Sequence, residues 1–361
     1  MKKLTSLLLA LTLVLGLTAC GAAPAASSGA SGASSSAAAS AGSASASDTD
    51  AASSVTDAST PDTTEINMAV LAGPTGIGAS ELMSWNDDGK TVNHYNFTVA
   101  SANDDVVSGL ASGEFDIAAV ATNVAANLYQ KTSGGVQICA LNTYGVLYIL
   151  ENGDSVHSVA DLAGKTIYAT GQGANPEYVL NYILTQNGLT PGEDVTIEFM
   201  DSESLVAQMA SGEIDLAMLP VPAVTSVEMQ NADVRTAIDL TAAWNDLGTD
   251  GVLTMGCIVV RTAFAQEHPE AVQAFLTEYA SSIETVQTNV EEAAQLCEQY
   301  GIVPKAAVAA KAIPDCNLCC VTGDELRSAI EPYYNVLFAA NPASIGNALP
   351  GDDFYFTGAQ G

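Results

Sequence analysis

The chain has 361 residues, and 48% of them are hydrophobic, which suits a globular body. Lysine and arginine number 10 against 41 aspartates and glutamates, a formal net charge of −31. That balance excludes nucleic acid as a partner, because such binding rests on basic contacts to phosphate, and it makes a poor surface for anionic lipid.

Residues 1–20 read as a targeting segment. Lys2 and Lys3 form a charged start, and Leu4 to Leu17 is an apolar stretch too short to span a bilayer comfortably. Leu17-Thr18-Ala19-Cys20 resembles the bacterial lipobox. The resemblance implies cleavage before Cys20, acylation of its thiol, and anchoring of the protein outside the cytoplasm by lipid alone. Residues 21–64 are Ala, Ser, Gly, Thr and Asp with no aromatic residue. They cannot bury enough surface to offset their ordering entropy and read as a disordered tether.

From Glu65 the pattern alternates between strands and helices. Ile66 to Leu71 is a strand, followed by a Gly-rich loop, Gly73 to Ser80, and a helix through about Trp85. His94 to Ala100 is a strand and Asp104 to Ser112 a helix. Ile117 to Val120 is a buried strand that breaks into a loop at Ala121-Thr122-Asn123. A helix over Val124 to Gln130 and a strand over Val136 to Leu141 follow. Tyr144 to Leu150 reads as a crossing to a second lobe. There Ser158 to Asp161 has the spacing of a capping box. The Thr166 strand leads to a second Gly-rich loop, Thr170 to Ala174, with Asn175 as helix cap and Pro176 as first helical residue. Strands at Val195 to Met200, Leu216 to Leu219 and Arg235 to Leu240 follow, the second breaking at Pro220-Val221-Pro222. Gly251 to Arg261 reads as the return crossing. Val272, Phe275, Leu276, Tyr279, Ile283 and Val286 form one helical stripe, and Thr322 to Glu325 a capping box for a last helix to about Ala340.

One stretch is written twice. Ala111-Ser-Gly-Glu-Phe-Asp-Ile-Ala118 returns as Ala210-Ser-Gly-Glu-Ile-Asp-Leu-Ala217. Each copy ends a helix at Ser-Gly, where glycine can take positive φ, and opens a strand after Asp. The same order of elements surrounds both copies, so the chain reads as a duplicated βαβαβ unit. Ligands bind beyond the carboxyl ends of such parallel strands, beside helix N-termini. Two such sheets facing each other make a cleft lined by Thr75, Gly76, Ile77, Thr122, Asn123, Tyr144, Gln172, Gly173, Ala174, Asn175, Pro220, Val221 and Pro222.

The cleft loops carry neither a Walker A motif nor a sound dinucleotide fingerprint. No basic residue among Lys90, Lys131, Lys165, Lys305, Lys311, Arg235, Arg261 and Arg327 falls in them. A polar or anionic head group held by helix ends and a neutral heteroaromatic stacked on Trp85, Tyr144 or Trp244 both remain open. Cys316-Asn317-Leu318-Cys319-Cys320 lacks the second ligand pair of a zinc site and reads as a local disulfide or packed thiols.

From about residue 65 to the end the chain resembles the nitrate/sulfonate/taurine and thiamine-precursor group of ABC-transporter substrate-binding lipoproteins, which have the periplasmic-binding-protein type II fold. The residues that carry the likeness are Gly73-Pro74-Thr75-Gly76-Ile77-Gly78, Leu162-Ala163-Gly164-Lys165-Thr166-Ile167, Gly188 to Val195, both Ser-Gly-Glu-apolar-Asp copies, and Ala340 to Gly346 with Leu349 to Tyr355. The resemblance implies an α/β protein of two lobes, each a mainly parallel sheet flanked by helices, with two crossings between them. Lobe 1 comprises residues 65–147 and 257–361, and lobe 2 residues 148–256. It implies a monomer without cofactor or metal that closes on a small-molecule ligand and hands it to an ABC-transporter permease. The alternative is an enzyme, or a protein that processes a pyrimidine or thiamine precursor, on the same fold. The lipobox, the tether and the lack of a nucleophile–base pair favour binding over catalysis.

Overall fold

The computed structural model describes residues 63–249 and 251–358. The targeting segment, Cys20 and all but the last two residues of the tether lie outside the described residues.

Strand β1 (Glu65–Leu71) leads into the short helix α1 (Pro74–Ile77) and α2 (Ser80–Asp87). Then come β2 (His94–Ala100), α3 (Asn103–Ser112), β3 (Ile117–Ala121), α4 (Thr122–Lys131) and β4 (Val136–Tyr144). A second run holds β5 (Leu147–Asn152), β6 (Thr166–Ala169), α5 (Asn175–Gln186), β7 (Thr196–Phe199), α6 (Ser202–Ser211), β8 (Leu216–Pro220), α7 (Ala223–Gln230), β9 (Val234–Asp239) and α8 (Leu240–Asp246). The chain returns through β10 (Thr254–Arg261) to α9 (Thr262–Glu267), α10 (Pro269–Thr288), α11 (Val290–Gln299), α12 (Ala306–Ala312), β11 (Leu318–Val321) and α13 (Gly323–Ala340).

Two sheets result, ordered β11-β4-β10-β3-β1-β2 and β7-β6-β8-β5-β9. The duplication is visible in them. β1 pairs in parallel with β2 and β3, as β6 does with β7 and β8. An antiparallel strand then flanks the third one, β10 beside β3 and β5 beside β8. The two written copies make the same local structure. Gly113 and Gly212 take φ of 82° and 76° and end α3 and α6. The next N–H, on Glu114 or Glu213, bonds back to Gly109 or Gln208, a Schellman closure. Asp116 and Asp215 each accept at their carbonyl from the flanking strand, Arg261 N–H at 2.9 Å and Asn152 N–H at 2.8 Å.

Alternating residues fill the two faces of each sheet. Ile66, Met68 and Val70 join one buried layer with Ile117, Ala119, Ala217 and Leu219. Ala69, Leu71, Ala118, Val120, Leu216 and Met218 join the other. Burial on both faces is why these strands read as continuous apolar runs. The α10 stripe is buried as one face, and Ser282 lies within it. Its Oγ donates to Gly78 O at 2.7 Å and accepts from Leu82 N–H at 3.0 Å, pinning α2 to α10. Among the described residues no helix is long and apolar enough to cross a membrane.

Several expectations differ from the structure in detail. The Gly-rich stretch after β1 is not a plain loop but contains α1, and the loop expected at Thr122-Asn123 is the first turn of α4. Tyr144 to Leu150 is mostly strand, broken only at Gly145-Val146, and Gly251 to Arg261 is mostly β10. Leu147 therefore pairs within the second sheet and Thr254 to Gly256 within the first, so the expected lobe boundaries cut one and three residues into strands. The Ser158–Asp161 capping box forms, whereas Thr322 makes no side-chain cap.

Candidate functional site

Strand β3 of one sheet and β6 of the other lead to the same seam, where the first turns of α4 and α5 meet. β1 runs out at Leu71, and Gly73, at φ 102°, turns the chain into α1 while its N–H donates to Ile302 O at 3.0 Å. Asn142 Nδ2, from the end of β4, donates to Thr75 O and to Tyr279 Oη, both at 3.1 Å. The Thr75 side chain lies against Gly256 on β10, where a Cβ would collide with Thr75 Cγ2 and come within 2.5 Å of Asn142 Oδ1. Glycine is required there by close approach, since its φ is ordinary.

Two residues earlier on β10 the second half of the chain docks. Asn175 is fully buried. Its Nδ2 donates to Thr122 Oγ1 at 2.6 Å, Met255 O at 2.9 Å and Thr254 O at 3.2 Å. Its Oδ1 accepts from Tyr333 Oη at 3.0 Å and from the Asn123 N–H at 3.2 Å. Asn175 does not cap its own helix, contrary to the sequence expectation: Ala174 holds the cap position. The amide is used up on the opposite half. Asn123 is also fully buried, and its Nδ2 donates to Ser344 O at 3.2 Å and Gly173 O at 3.4 Å. Tyr334 Oη donates to Thr122 O at 2.8 Å.

The expected cleft residues thus divide. Thr122, Asn123, Gly173 and Asn175 meet in one hydrogen-bonded seam, with Ala174 buried beside them. Thr75 and Gly76 stand next to it across β10, both buried, while Ile77 is fully buried in the core. Gln172 is exposed on the same loop as Gly173. Pro220 is not the expected break but the last residue of β8, and Val221 and Pro222 lead from it into α7, with Val221 N–H donating to Val146 O at 3.0 Å. Tyr144 faces away into a cavity of about 380 Å³ that it shares with Gln287, Ile313, Asn317 and Leu318. A second cavity of about 770 Å³ opens between α5 and α13, against Tyr182, Thr249 and Pro332. Neither lies between the two Gly-rich stretches. Trp244 is buried against Tyr182 and Tyr333 with its Nε1 donating to Gly251 O at 3.1 Å, so it offers no stacking face to a ligand. Trp85 packs on the core behind α2.

Residues that sequence reasoning missed are Asn142, Thr254, Met255, Tyr333 and Ser344. Thr254 and Met255 act through backbone carbonyls, which no side-chain pattern reports. Ser344 lies in the Asn341-Pro342-Ala343-Ser344 stretch that marked the family likeness, and its carbonyl also accepts from Asn127 Nδ2 at 2.6 Å. The six cysteines among the described residues are free thiols, none of them in the seam. Burial pushes Cys297 and Cys320 up to about 11 and Cys319 to about 12.

The sequence profile of the NMT1/THI5-like family matches residues 99–293. The taurine-binding periplasmic protein of Escherichia coli strain K12 is 28% identical over 207 residues. That match spans 56% of this chain and 60% of the relative, less than two thirds of its length. Among solved structures, an ABC transporter from Parabacteroides distasonis aligns with a TM-score of 0.67 at 21% identity, covering 81% of this chain and 98% of that one. The periplasmic aliphatic sulphonate binding protein SsuA from Escherichia coli aligns with a TM-score of 0.64 at 16% identity, covering 80% and 97%. At these identities the likeness to solved structures is one of fold: an α/β architecture of two helix-flanked sheets, the periplasmic-binding-protein type II arrangement.

Proposed function

The chain belongs to the NMT1/THI5-like family, and from that premise we propose that it is an extracytoplasmic solute-binding protein of an ABC importer. It captures a small polar or anionic organic solute between its two sheets and presents it to a membrane permease. Cys20 carries the lipid anchor, residues 21–64 are the tether, and the two sheets are the cores of two lobes.

The observation that carries this reading is the Asn123–Asn175 seam. Both halves of the duplication present the carboxyl ends of their strands to it, and side chains from α4 and α5 reach across it. A contact made by polar side chains between the ends of two sheets can be opened and remade around a solute. Closure then needs the solute to favour the closed form, so its contacts must come from both sides. The relative and the structural neighbour named above as taurine- and sulphonate-binding proteins support the same reading. Binding without chemistry is further supported by the thiols, whose raised values make them poor nucleophiles at neutral pH.

Native mass spectrometry of the secreted protein tests this. A bound small solute that is released chemically intact is the expected result. Conversion of that solute by the protein would make it an enzyme, and removal of Cys20 without loss of membrane attachment would refute the anchor.

A further inference from the structure

Asn123 Oδ1 is buried and has no hydrogen-bond partner. The orientation of the amide is fixed by its surroundings. Its Nδ2 faces two carbonyls, Ser344 O and Gly173 O, and a flipped amide would set oxygen against oxygen at both. The seam therefore holds an unfilled acceptor, and a buried acceptor left without a donor is costly.

The charges around it point the same way. Among the described residues no basic side chain reaches the seam. Arg235 is paired with Glu151, Arg261 with Asp116, and Arg327 with Glu331 and Asp352. Lys90 pairs with Asp88 and Lys165 bonds Ser155. Lys131 stands at the far end of α4, about 12 Å along the helix from Asn123 at the α-helical rise, and Lys305 and Lys311 are exposed at α12.

Helix N-termini at the carboxyl ends of the strands could hold an anion, but the chain supplies its own negative charge at four of them. Glu177 Oε2 accepts from the Gly173 N–H at 2.6 Å ahead of α5. Asp201 accepts from Ser204 N–H at 2.8 Å at the start of α6. Asp239 accepts from Thr241 and Ala242 N–H groups at 2.8 and 3.2 Å at α8. Asp104 and Asp105 occupy the first turn of α3. The first turns of α1, α4 and α7 carry no acidic residue, so these carboxylates disfavour an incoming sulfonate or nitrate only at the other four.

We propose that the solute carries an N–H donor and no net negative charge, and that this N–H pairs with Asn123 Oδ1. The inference rests on the solute-binding reading and narrows its ligand to amides, amines and amidines.

Calorimetry on the full chain, with nicotinamide, cytosine and benzamidine set against benzenesulfonate, ethanesulfonate and nitrate, tests it. At least one N–H donor should bind more tightly than every anion, and Asn123→Ala should weaken that binding at least ten-fold. Should Asn123→Ala fail to fold, Asn123→Asp keeps an acceptor and adds a charge. It should tighten benzamidine and leave benzenesulfonate excluded. An anion that binds best, or N–H donors indifferent to both variants, overturns the inference and leaves the solute-binding reading standing. Binding by neither panel also overturns it, and the solute-binding reading is then decided separately by native mass spectrometry of the secreted protein.

Discussion

Asn175 Nδ2 donates to Thr122 Oγ1 across 2.6 Å, joining the first turn of α5 to the first turn of α4. The same side chain touches β10 through two carbonyls and α13 through Tyr333, so one amide ties α5 to three other elements, α4, β10 and α13.

Replacing Asn175 with alanine should strand several buried groups at once, among them the Asn123 N–H. The expected loss is about 2–3 kcal/mol of unfolding free energy, the usual cost of buried groups left unpaired. Urea denaturation reads this. Hydrogen exchange supplies an independent check, since the Asn123 N–H should lose protection while amides in β1 and β6 keep theirs. A variant as stable as wild type, with Asn123 still protected, would show that the halves are held by other contacts.

Gly256→Ala should destabilise by about 1–3 kcal/mol, because the new methyl meets Thr75 Cγ2 and Asn142 Oδ1 in a packed site. Thr75→Ser removes that Cγ2. In the double variant part of the loss should return, measured as a positive coupling in a double-mutant cycle. Strict additivity would mean that the strain is relieved elsewhere, through movement of β10.

Much of this architecture is legible in the sequence because it is local. Gly113 and Gly212 announce helix ends through the conformation they permit, and the runs at Ile117 and Leu216 announce strands buried on both faces. The passage from Ala121 to Thr122 carries no breaker, so a strand that turns directly into a helix reads as a loop. Asn175 has the chemistry of a helix cap, and nothing beside it in sequence shows that Thr122 and Met255 claim its amide instead. The insertion of β10 between β3 and β4 joins residues more than a hundred positions apart, and apolar pattern alone does not choose such partners. The seam is therefore half legible. Its loops can be placed from the repeat, while its bonds depend on tertiary pairing.

Glu151 on β5 offers a test by pH. Burial alone would raise its carboxyl. Hydrogen bonds from the Ser155 hydroxyl and the Ser155 and Val156 N–H groups, together with Arg235, outweigh that and hold it below the ordinary carboxylate range. A lowered folded value stabilises the protein above the unfolded value, near 4.3, and that stability is lost as pH falls through the folded value. Glu151→Gln should therefore cost about 2 kcal/mol at pH 7, in keeping with hydrogen bonds to a charged acceptor. The gap to wild type should close as pH drops below about 4. A gap that stays constant from pH 7 to pH 3 would mean that Glu151 acts by shape alone.

Glu81 on α2 should behave in the opposite sense. Only 4% of it is exposed, and its Oε1 has no hydrogen-bond partner. Burial, and then the charge of Glu292, raise its carboxyl above the ordinary range. The folded state thus favours the protonated form. The stabilisation is fully present below the unfolded value and is lost as pH rises through the raised folded value. Above that raised value the protein carries a buried, incompletely paired carboxylate. Glu81→Gln keeps the shape and removes the charge. The variant should be about 1 kcal/mol more stable than wild type at pH 7, the scale of one incompletely satisfied buried group. Near pH 4, where the wild-type carboxyl is itself neutral, the two should match. Urea midpoints at the two pH values measure both differences. A glutamine variant less stable than wild type at pH 7 would show that the carboxylate is bonded in solution and that α2 depends on its charge.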